Sequence, residues 1–379
     1  MSDEPIYLDH NATTPLLPEV VDAMLPFLRV HFGNPSSAHV YGTRARAAVD
    51  HARTQLAGLI ACDPEEISFT SGGTEANNLA IRGATARSAR RHVVTSNVEH
   101  PATERPVALL AGRGWRVTRL PVDESGRVTP DGLDAVVTAE TALVTLMHSN
   151  NETGVLQPVA AATTAARRTG ALVHTDAAQS VGKVPIDVRS LDVDLLSIAG
   201  HKLYAPKGVG ALFVRRGTPI GPVLVGAGHE RGLRPGTENV ASIVGLGAAC
   251  VAARRDLERE AARVRTLRDT LHSALGALVP GLGLNGHPDD RLPNTLNVRF
   301  PGVLGNALLA ATPEVAASTG SACHDGHDRA SAAIVAMGIA VADALGSVRL
   351  TLGRGSTHDE VVRAAGALGR AWNAARAGS

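Results

Sequence analysis

The stretch that decides the fold is Ser197-Ile198-Ala199-Gly200-His201-Lys202-Leu203-Tyr204-Ala205-Pro206-Lys207-Gly208. It begins inside an apolar, strand-like run and then turns, with a lysine directly after a histidine. A lysine that reacts as a nucleophile must be a free amine, so it needs surroundings that disfavour or compensate its positive charge. Ser197 and His201 flank the turn and are candidates for holding a phosphate group. By itself, however, the stretch favours a surface turn with two ordinary lysines.

Alternating strand and helix patterns surround this stretch. Short β-rich runs are separated by alanine-rich helical stretches, which predicts an α/β fold with a mostly parallel sheet covered on both faces. The sheet is expected to have seven strands, at Ile67–Thr70, His92–Ser96, Arg116–Pro121, Leu143–His148, Leu172–Thr175, Leu195–Ala199 and Gly210–Val214.

The length of the chain, 379 residues, predicts two domains. We expect a large domain over residues 13–250 and a smaller α/β domain formed by residues 1–12 and 251–379. A long helical pattern at Ala241–Leu278 crosses the boundary and links the two. The smaller domain has strand patterns at Asn294–Arg299 and Val348–Leu352 and a helical pattern at His358–Arg376.

Composition restricts the partners and the compartment. The net charge of +1 and the 3% of aromatic residues favour neither nucleic acid nor a membrane surface. Three cysteines without CxxC spacing argue against disulfides and structural zinc, so we expect no metal and a reducing, cytoplasmic location. The acidic N-terminus is unlike a signal peptide, and no apolar stretch is long enough to span a bilayer.

Polar residues follow the predicted strands, where open parallel sheets bind their ligands. They are Ser71–Thr74, Glu99–Pro101, Asn150–Glu152, Asp176–Gln179 and Gly200–Lys202. The first group contains two glycines before a helix, which suits close approach of an anion, although a capped helix start fits equally well.

Four single residues allow both a functional and a structural interpretation. Asp176 follows an apolar run, so it requires a cation or several donors if buried, or else it caps the next turn. His100 could stack on a flat ligand and exchange protons near neutral pH, but a lone histidine is more often structural, and the same holds for Asn151. Arg349 interrupts an apolar strand and binds either a substrate carboxylate or a structural partner.

Cys323 lies among small polar residues, in Ser318-Thr319-Gly320-Ser321-Ala322-Cys323-His324-Asp325. This composition predicts an exposed loop, where a cysteine is a liability unless its reactivity is used. A metal site from Cys323, His324 and His327 is conceivable, but no further ligands are apparent. Cys62 and Cys250 adjoin apolar helical patterns and are expected in the core.

Together these motifs resemble the cysteine desulfurases of the NifS/IscS type, which have the class V aminotransferase architecture, fold type I, and use pyridoxal 5'-phosphate (PLP). The resemblance covers nearly the whole chain. It is carried by Tyr7–Pro15, Gly33–Ser37, Phe69–Asn78, Glu99-His100, Met147–Gly154, Asp176–Lys183, Ala199–Lys202, Gly228–Thr237, Pro293–Asn297 and Thr319–Cys323.

The resemblance implies a PLP site. It makes Lys202 the lysine that forms a Schiff base with PLP, and Asp176 the partner of the pyridine nitrogen. It implies that the cofactor's phosphate is held by Gly73, Thr74, Ser197 and His201, with Thr237 reaching it from the other subunit of a homodimer. It further implies that Gln179 contacts the ring hydroxyl, that His100 stacks on the ring and moves protons, and that Asn151 contacts ring or substrate.

The resemblance also implies the reaction. L-cysteine would be held through its carboxylate by Arg349 and converted to L-alanine, and its sulfur would pass to Cys323 as a persulfide for an acceptor protein. The spacing from Cys323 to Arg349 resembles the long-loop class, which hands sulfur directly to partner proteins. The tail after Arg354 is shorter than the one with which iron–sulfur housekeeping enzymes dock their scaffold protein, which argues against that partner and leaves tRNA thiolation, DNA phosphorothioation or another biosynthetic pathway open.

Two alternatives remain open from the sequence. Ala322-Cys323-His324-Asp325 is similar to the Ala-Cys-His-Ser run of selenocysteine lyases, which release selenium from selenocysteine. A non-enzymatic relative that keeps the fold as an interaction partner is the second, but the complete set of candidate residues argues against it.

Overall fold

The computed structural model describes residues 4–320 and 329–377. Cys323 and its two neighbouring histidines lie outside these residues. The strands are β1 (Ile6–Tyr7), β2 (Ile67–Thr70), β3 (His92–Ser96), β4 (Arg116–Leu120), β5 (Thr141–Thr145), β6 (Leu172–Asp176), β7 (Leu195–Ala199), β8 (Gly210–Val214), β9 (Gly283–Leu284), β10 (Thr295–Arg299), β11 (Val315–Ala316) and β12 (Ser347–Thr351).

The helices alternate with the strands in the first part of the chain. They are α1 (Pro18–Arg29), α2 (Val40–Ile60), α3 (Gly73–Ala86), α4 (Pro101–Ala111), α5 (Pro130–Val136), α6 (Val159–Thr169), α7 (Val188–Leu191), α8 (Val240–Leu278), α9 (Gly305–Ala310), α10 (Ala332–Ala336), α11 (Val341–Ala344) and α12 (His358–Ala377).

The main sheet has seven strands in the order β2-β8-β7-β6-β5-β3-β4. Strand β8 runs antiparallel to both of its neighbours, and the other pairs are parallel. This confirms the predicted α/β fold with a mostly parallel seven-stranded sheet. The parallel strands end at one edge, so the polar residues that follow them converge there.

Strand β5 begins two residues and ends three residues earlier than predicted. The pattern indicated Leu143–His148, whereas the strand covers Thr141–Thr145. The backbone N–H of Met147 donates to Glu99 Oε1 instead, and that of His148 donates to the carbonyl of Asp176. These bonds turn the chain toward the edge where the polar residues meet.

Two large apolar clusters form the core. One packs the main sheet against α2, α6 and the first part of α8, and the other packs β10 and β12 against α12 and the last part of α8. Each fully buried leucine, such as Leu56 or Leu271, contributes roughly 1.5–3 kcal/mol relative to an exposed one. Helix α8 spans 39 residues and connects both clusters, as its long pattern predicted. The domain boundaries at residues 12 and 250 stay a prediction.

The smaller sheet brings the N-terminus to the C-terminal part of the chain. Strands β12, β10 and β9 form an antiparallel sheet, and β1 pairs with β11. Single bridges join Asp9 to Thr351 and Ser318 to Arg349. Asp9 and Arg349 are therefore neighbours although 340 positions separate them.

No helix within residues 4–320 and 329–377 combines the length and the apolar composition that crossing a bilayer demands.

Candidate active site at the strand ends

A cavity of about 370 Å³ lies at the carboxyl ends of the parallel strands. Nine of the predicted site residues line it: Gly73, Thr74, His100, Asn151, Asp176, Gln179, His201, Lys202 and Arg349. They come from five different strand ends and from β12, so the fold and not the local sequence brings them together.

Lys202 ends a short 3₁₀ turn that follows β7. Its Nζ donates to the carbonyl oxygens of Asn11, at 2.5 Å, and Ala12, at 2.7 Å. Burial and the nearby Arg349 lower the pKa of this amine to about 8, although Asp9 and Asp176 oppose the shift. A useful fraction of free amine is therefore present near neutral pH, as a nucleophilic lysine requires.

Asp176 ends strand β6 and is buried. Its two oxygens accept hydrogen bonds from Asn77 Nδ2, at 2.7 Å, and from the backbone N–H of Ala178, at 3.0 Å. Both donors are neutral, so they orient the carboxylate without cancelling its charge. Asn77 was not among the residues predicted from the sequence, and its position one turn into α3, after the glycines, was the available signal.

Helix α3 begins at Gly73 on the cavity wall, where its first N–H groups form a ready anion site. A Cβ on Gly73 would lie 3.2 Å from Cβ of Ala199, so a larger residue would crowd this wall. Thr74 is exposed next to it. These features fit a phosphate group at the position that the sequence predicted.

The structure does not bring Ser197 to the cavity. Its hydroxyl is fully buried and lies 2.9 Å from Nε2 of His174, inside the sheet. The prediction of a phosphate contact from Ser197 is therefore wrong, because this serine lies two residues before the end of β7. The residue on the same face at the strand end is Ala199, which does line the cavity.

His201 and His100 are both held neutral at the cavity. Burial, with Lys202 nearby, lowers the pKa of His201 to about 4, and its Nδ1 lies 3.1 Å from Thr13 Oγ1. His100 caps helix α4, because its Nδ1 accepts the backbone N–H of Ala102 at 3.1 Å. Desolvation of the imidazole lowers its pKa even though the residue as a whole is exposed. Because Nδ1 accepts this hydrogen bond, the hydrogen of the neutral ring is on Nε2.

Arg349 is buried and already paired. Its Nη2 donates to Asp9 Oδ1 at 2.7 Å, and its Nη1 donates to the carbonyl oxygen of Asn151 at 3.1 Å. Its Nε is buried and has no hydrogen-bond partner among residues 4–320 and 329–377. The guanidinium thus has donor capacity left for a carboxylate in the cavity.

Asn11 was also missed by the sequence analysis. Its carbonyl oxygen accepts from Gln179 Nε2 at 2.9 Å as well as from Lys202. Its side-chain Oδ1 accepts from Lys183 Nζ at 3.0 Å, and this lysine also donates to Gln179 Oε1 at 2.9 Å. The only signal in the sequence was its place in the Tyr7–Pro15 motif.

The last two predicted residues cannot be placed in the cavity. Thr237 is exposed and lies apart from the cavity, and its predicted contact with a second subunit stays a prediction. Cys323 lies outside the described residues, and Gly320, the last one described before it, lines the cavity. Burial raises the pKa of Cys62 to about 12 and that of Cys250 further, so both are poor nucleophiles.

Apart from the undescribed residues 1–3, 321–328 and 378–379, no group of three or more histidine, cysteine or acidic side chains is arranged to hold a metal ion.

Comparison with known proteins decides the family. The model of the aminotransferase class-V family matches residues 6–363. The chain belongs to this family. It is 44% identical over 361 residues to a cysteine desulfurase of Trichormus azollae, covering 94% of this chain and 90% of the relative. It is 45% identical over 362 residues to the cysteine desulfurase NifS of Azotobacter vinelandii, with the same coverage.

A solved structure agrees with these sequence relatives. A NifS-like protein superposes with a TM-score of 0.91 at 34% identity, covering 98% of this chain and 99% of the other. The resemblance to the NifS/IscS type and the fold that it implied, fold type I, are confirmed.

Proposed function

We propose that this protein is a PLP-dependent cysteine desulfurase, which converts L-cysteine into L-alanine and transfers the sulfur to Cys323. The observation that carries the proposal is Lys202, a half-buried amine whose pKa is about 8, in one cavity with the Asp176 carboxylate and the Arg349 guanidinium. The cysteine desulfurases among its relatives point to the same activity.

The cavity residues fit PLP. Asp176 is a carboxylate held by two neutral donors, which suits a protonated ring nitrogen, and the N-terminus of α3 beside Gly73 suits a phosphate. Thr74 and His201 would complete the phosphate contacts, Gln179 would meet the ring hydroxyl, and Lys202 would bind the cofactor covalently. PLP supplies an electron sink for the charge that develops on the substrate.

The residues of the chain supply the proton transfers and the substrate contacts. Arg349 binds the carboxylate of cysteine with the donors that Asp9 does not satisfy, and Asn151 lies beside it. The amine of Lys202 takes the α-proton, because its lowered pKa matches a base that works near neutral pH. His100 lines the cavity, and because its Nδ1 accepts the N–H of Ala102, its Nε2–H would be the group that donates a proton there.

Cys323 performs the sulfur transfer. Its thiolate forms a bond to the sulfur of the substrate as the carbon–sulfur bond breaks. The electron pair of that bond stays with the carbon, which takes up a proton and becomes the methyl group of alanine. The persulfide on Cys323 is then passed to a sulfur-acceptor protein in the cytoplasm.

A homodimer is part of the proposal. Apolar side chains at the end of α1 and the start of α2 are exposed, with Phe32 at 80%, Leu28 at 64% and Val40 at 62%. A second copy of this chain would cover them and would bring its exposed Thr237 to the phosphate site.

Persulfide mapping tests the sulfur transfer. The purified protein with PLP and L-cysteine is labelled with a persulfide-selective reagent, and the three cysteine peptides are analysed by mass spectrometry. We expect the label on Cys323, with Cys62 and Cys250 as internal controls that stay unlabelled. Cys323→Ser should abolish sulfide release to a reductant. Alanine formation from L-cysteine without a persulfide on Cys323 would refute the sulfur-transfer role of this cysteine.

A further inference from the structure

Lysine is rare in this chain, and its positions are informative. Only three of the 37 lysine and arginine residues are lysines: Lys183, Lys202 and Lys207. Two of them, Lys183 and Lys202, both donate to Asn11, on the wall of the cavity. Arginine cannot be deprotonated in a protein, whereas a buried lysine readily becomes a neutral amine. A lysine at position 183 can therefore be a neutral amine inside the protein, which an arginine cannot.

Lys183 donates to two side-chain carbonyl oxygens. They are Asn11 Oδ1, at 3.0 Å, and Gln179 Oε1, at 2.9 Å. It forms no ion pair with a carboxylate in the part of the chain that the structure describes, and burial, with Lys202 nearby, lowers its pKa well below the ordinary value. A neutral amine has two N–H donors, which is the number of acceptors that this site presents.

The groups around Lys183 do not offer a different partner for its amine. Lys202 and Arg349 are positively charged neighbours on the cavity side. The titratable residues around a small space on the other side are His10, Tyr204, Glu260 and Arg354. Glu260 is paired with Arg263 at 2.9 Å, so it does not compensate a charge on Lys183.

The two hydrogen bonds fix the amide of Gln179. Because Oε1 accepts from Lys183, Nε2 must point the other way, and it donates to the carbonyl oxygen of Asn11 that Lys202 also contacts. A flipped amide would place Oε1 against this carbonyl oxygen, which is repulsive, and would replace the acceptor of a Lys183 N–H with an NH₂ group, which loses that hydrogen bond. The orientation with Oε1 toward Lys183 is therefore the favoured one.

We propose that Lys183 is a positioning residue, which fixes the amide of Gln179 so that a donor and not an acceptor faces Lys202 and the cavity. The inference rests on the proposed function in one respect, because the group that would receive this donor is the ring hydroxyl of PLP. Its effect on the amine of Lys202 is independent of the cofactor.

Chemical modification of the cofactor-free protein tests the effect on Lys202. The rate at which trinitrobenzenesulfonate modifies Lys202 is followed against pH by peptide mass spectrometry. Because the chain has only three lysines, each modified peptide can be assigned to one of them. In Lys183→Met the amide can turn Oε1 toward the Lys202 ammonium and stabilise it. We expect the pKa of Lys202 to rise by about one unit, which lowers its modification rate at pH 7 by roughly tenfold.

Matched variants separate positioning from a structural role. Lys207→Met, an exposed lysine on the same segment, should leave the Lys202 titration unchanged. In a Gln179→Leu background, Lys183→Met should cause no further shift, because the amide through which it acts is gone. A Lys183→Met titration that coincides with that of the unmodified protein would overturn the proposal.

A second variant covers the case in which Lys183→Met does not fold. Gln179→Glu presents oxygen atoms in both directions, so the pKa of Lys202 should rise in the same assay, and an unchanged value would overturn the proposal. In the PLP-loaded protein, the absorbance titration of the lysine-bound cofactor should also shift upward. If the unsubstituted protein bound no PLP, the proposed function would fail, while the cofactor-free titration would still decide the role of Lys183.

Discussion

The charged groups on the two sides of the cavity differ in their hydrogen-bond and ion-pair partners. On the side built by the main sheet, Asp176 is held by the amide of Asn77 and a backbone N–H, and it has no ion-pair partner within the described residues. On the side built by the smaller sheet, Arg349 is already paired with Asp9 at 2.7 Å. The charge of Asp176 is left for a ligand, whereas that of Arg349 is already balanced by Asp9, with which an incoming carboxylate must compete. Under the proposed function, the first side would hold the cofactor and the second side the substrate.

The largest expected effect tests the uncompensated charge of Asp176. Asp176→Asn keeps the shape but removes the negative charge that would stabilise a protonated ring nitrogen. We expect kcat for alanine formation to fall by about 10²–10³-fold, as for the loss of one well-placed electrostatic group. Asp187→Asn, at an exposed helix cap, is the matched control and should be close to unchanged. A loss of less than threefold in Asp176→Asn would mean that the two sides do not differ as described.

The next effect concerns the parallel N–H donors of the Arg349 guanidinium. Arg349→Lys keeps the charge but loses the parallel donors, so we expect KM for L-cysteine to rise about 10- to 100-fold, with kcat less affected. Steady-state kinetics measure both constants. Arg363→Lys on the exposed face of α12 serves as the control. If kcat fell and KM did not change, Arg349 would not be the substrate's anchor.

The pKa of Lys202 predicts how cofactor binding depends on pH. Because burial lowers this pKa from 10.5 to about 8, the free amine increases tenfold per pH unit below about 8 and levels off above it. Stopped-flow absorbance of the cofactor-free protein mixed with PLP should show this profile. A capture rate that is constant between pH 6 and 8 would contradict the lowered pKa.

The same pKa has a consequence for stability. Between pH 8 and 10.5 the unfolded chain holds a proton on Lys202 that the folded chain has released. The cost of burying the charged amine is therefore fully present below pH 8 and disappears as the pH rises toward 10.5.

The smallest expected effect tests the competition between Asp9 and the substrate for Arg349. Asp9→Asn removes the carboxylate with which the substrate competes, so we expect KM for L-cysteine to fall two- to fivefold. The free energy of unfolding should fall by about 1–3 kcal/mol, because Arg349 loses its charged partner. Kinetics and chemical denaturation measure the two quantities. An increase in KM would show that Asp9 supports the substrate and does not compete with it.

The main-sheet side could be predicted from the sequence because its residues follow strands. The β-rich runs located β2, β3, β7 and β8, and parallel strands bring Gly73, Asp176 and Lys202 to one edge whatever the loops between them. The prediction for Ser197 was wrong because a difference of two residues along a strand separates the sheet interior from its edge.

The other side of the cavity depends on contacts that no local pattern reveals. Arg349 was a candidate from the sequence, but its partner Asp9 was not, because the pairing of β1 with β11 and the bridge to Thr351 set it. Asn11 and Lys183 were quoted only as parts of motifs. Their roles follow from hydrogen bonds across 168 and 172 positions of chain.

The measurement that tests the account most directly is the formation of alanine by the purified protein with PLP and a reductant, from L-cysteine and from L-selenocysteine in parallel. The account predicts alanine from both amino acids, with the product from L-cysteine abolished in Cys323→Ala. Alanine from L-selenocysteine alone would contradict it and would assign the protein as a selenocysteine lyase.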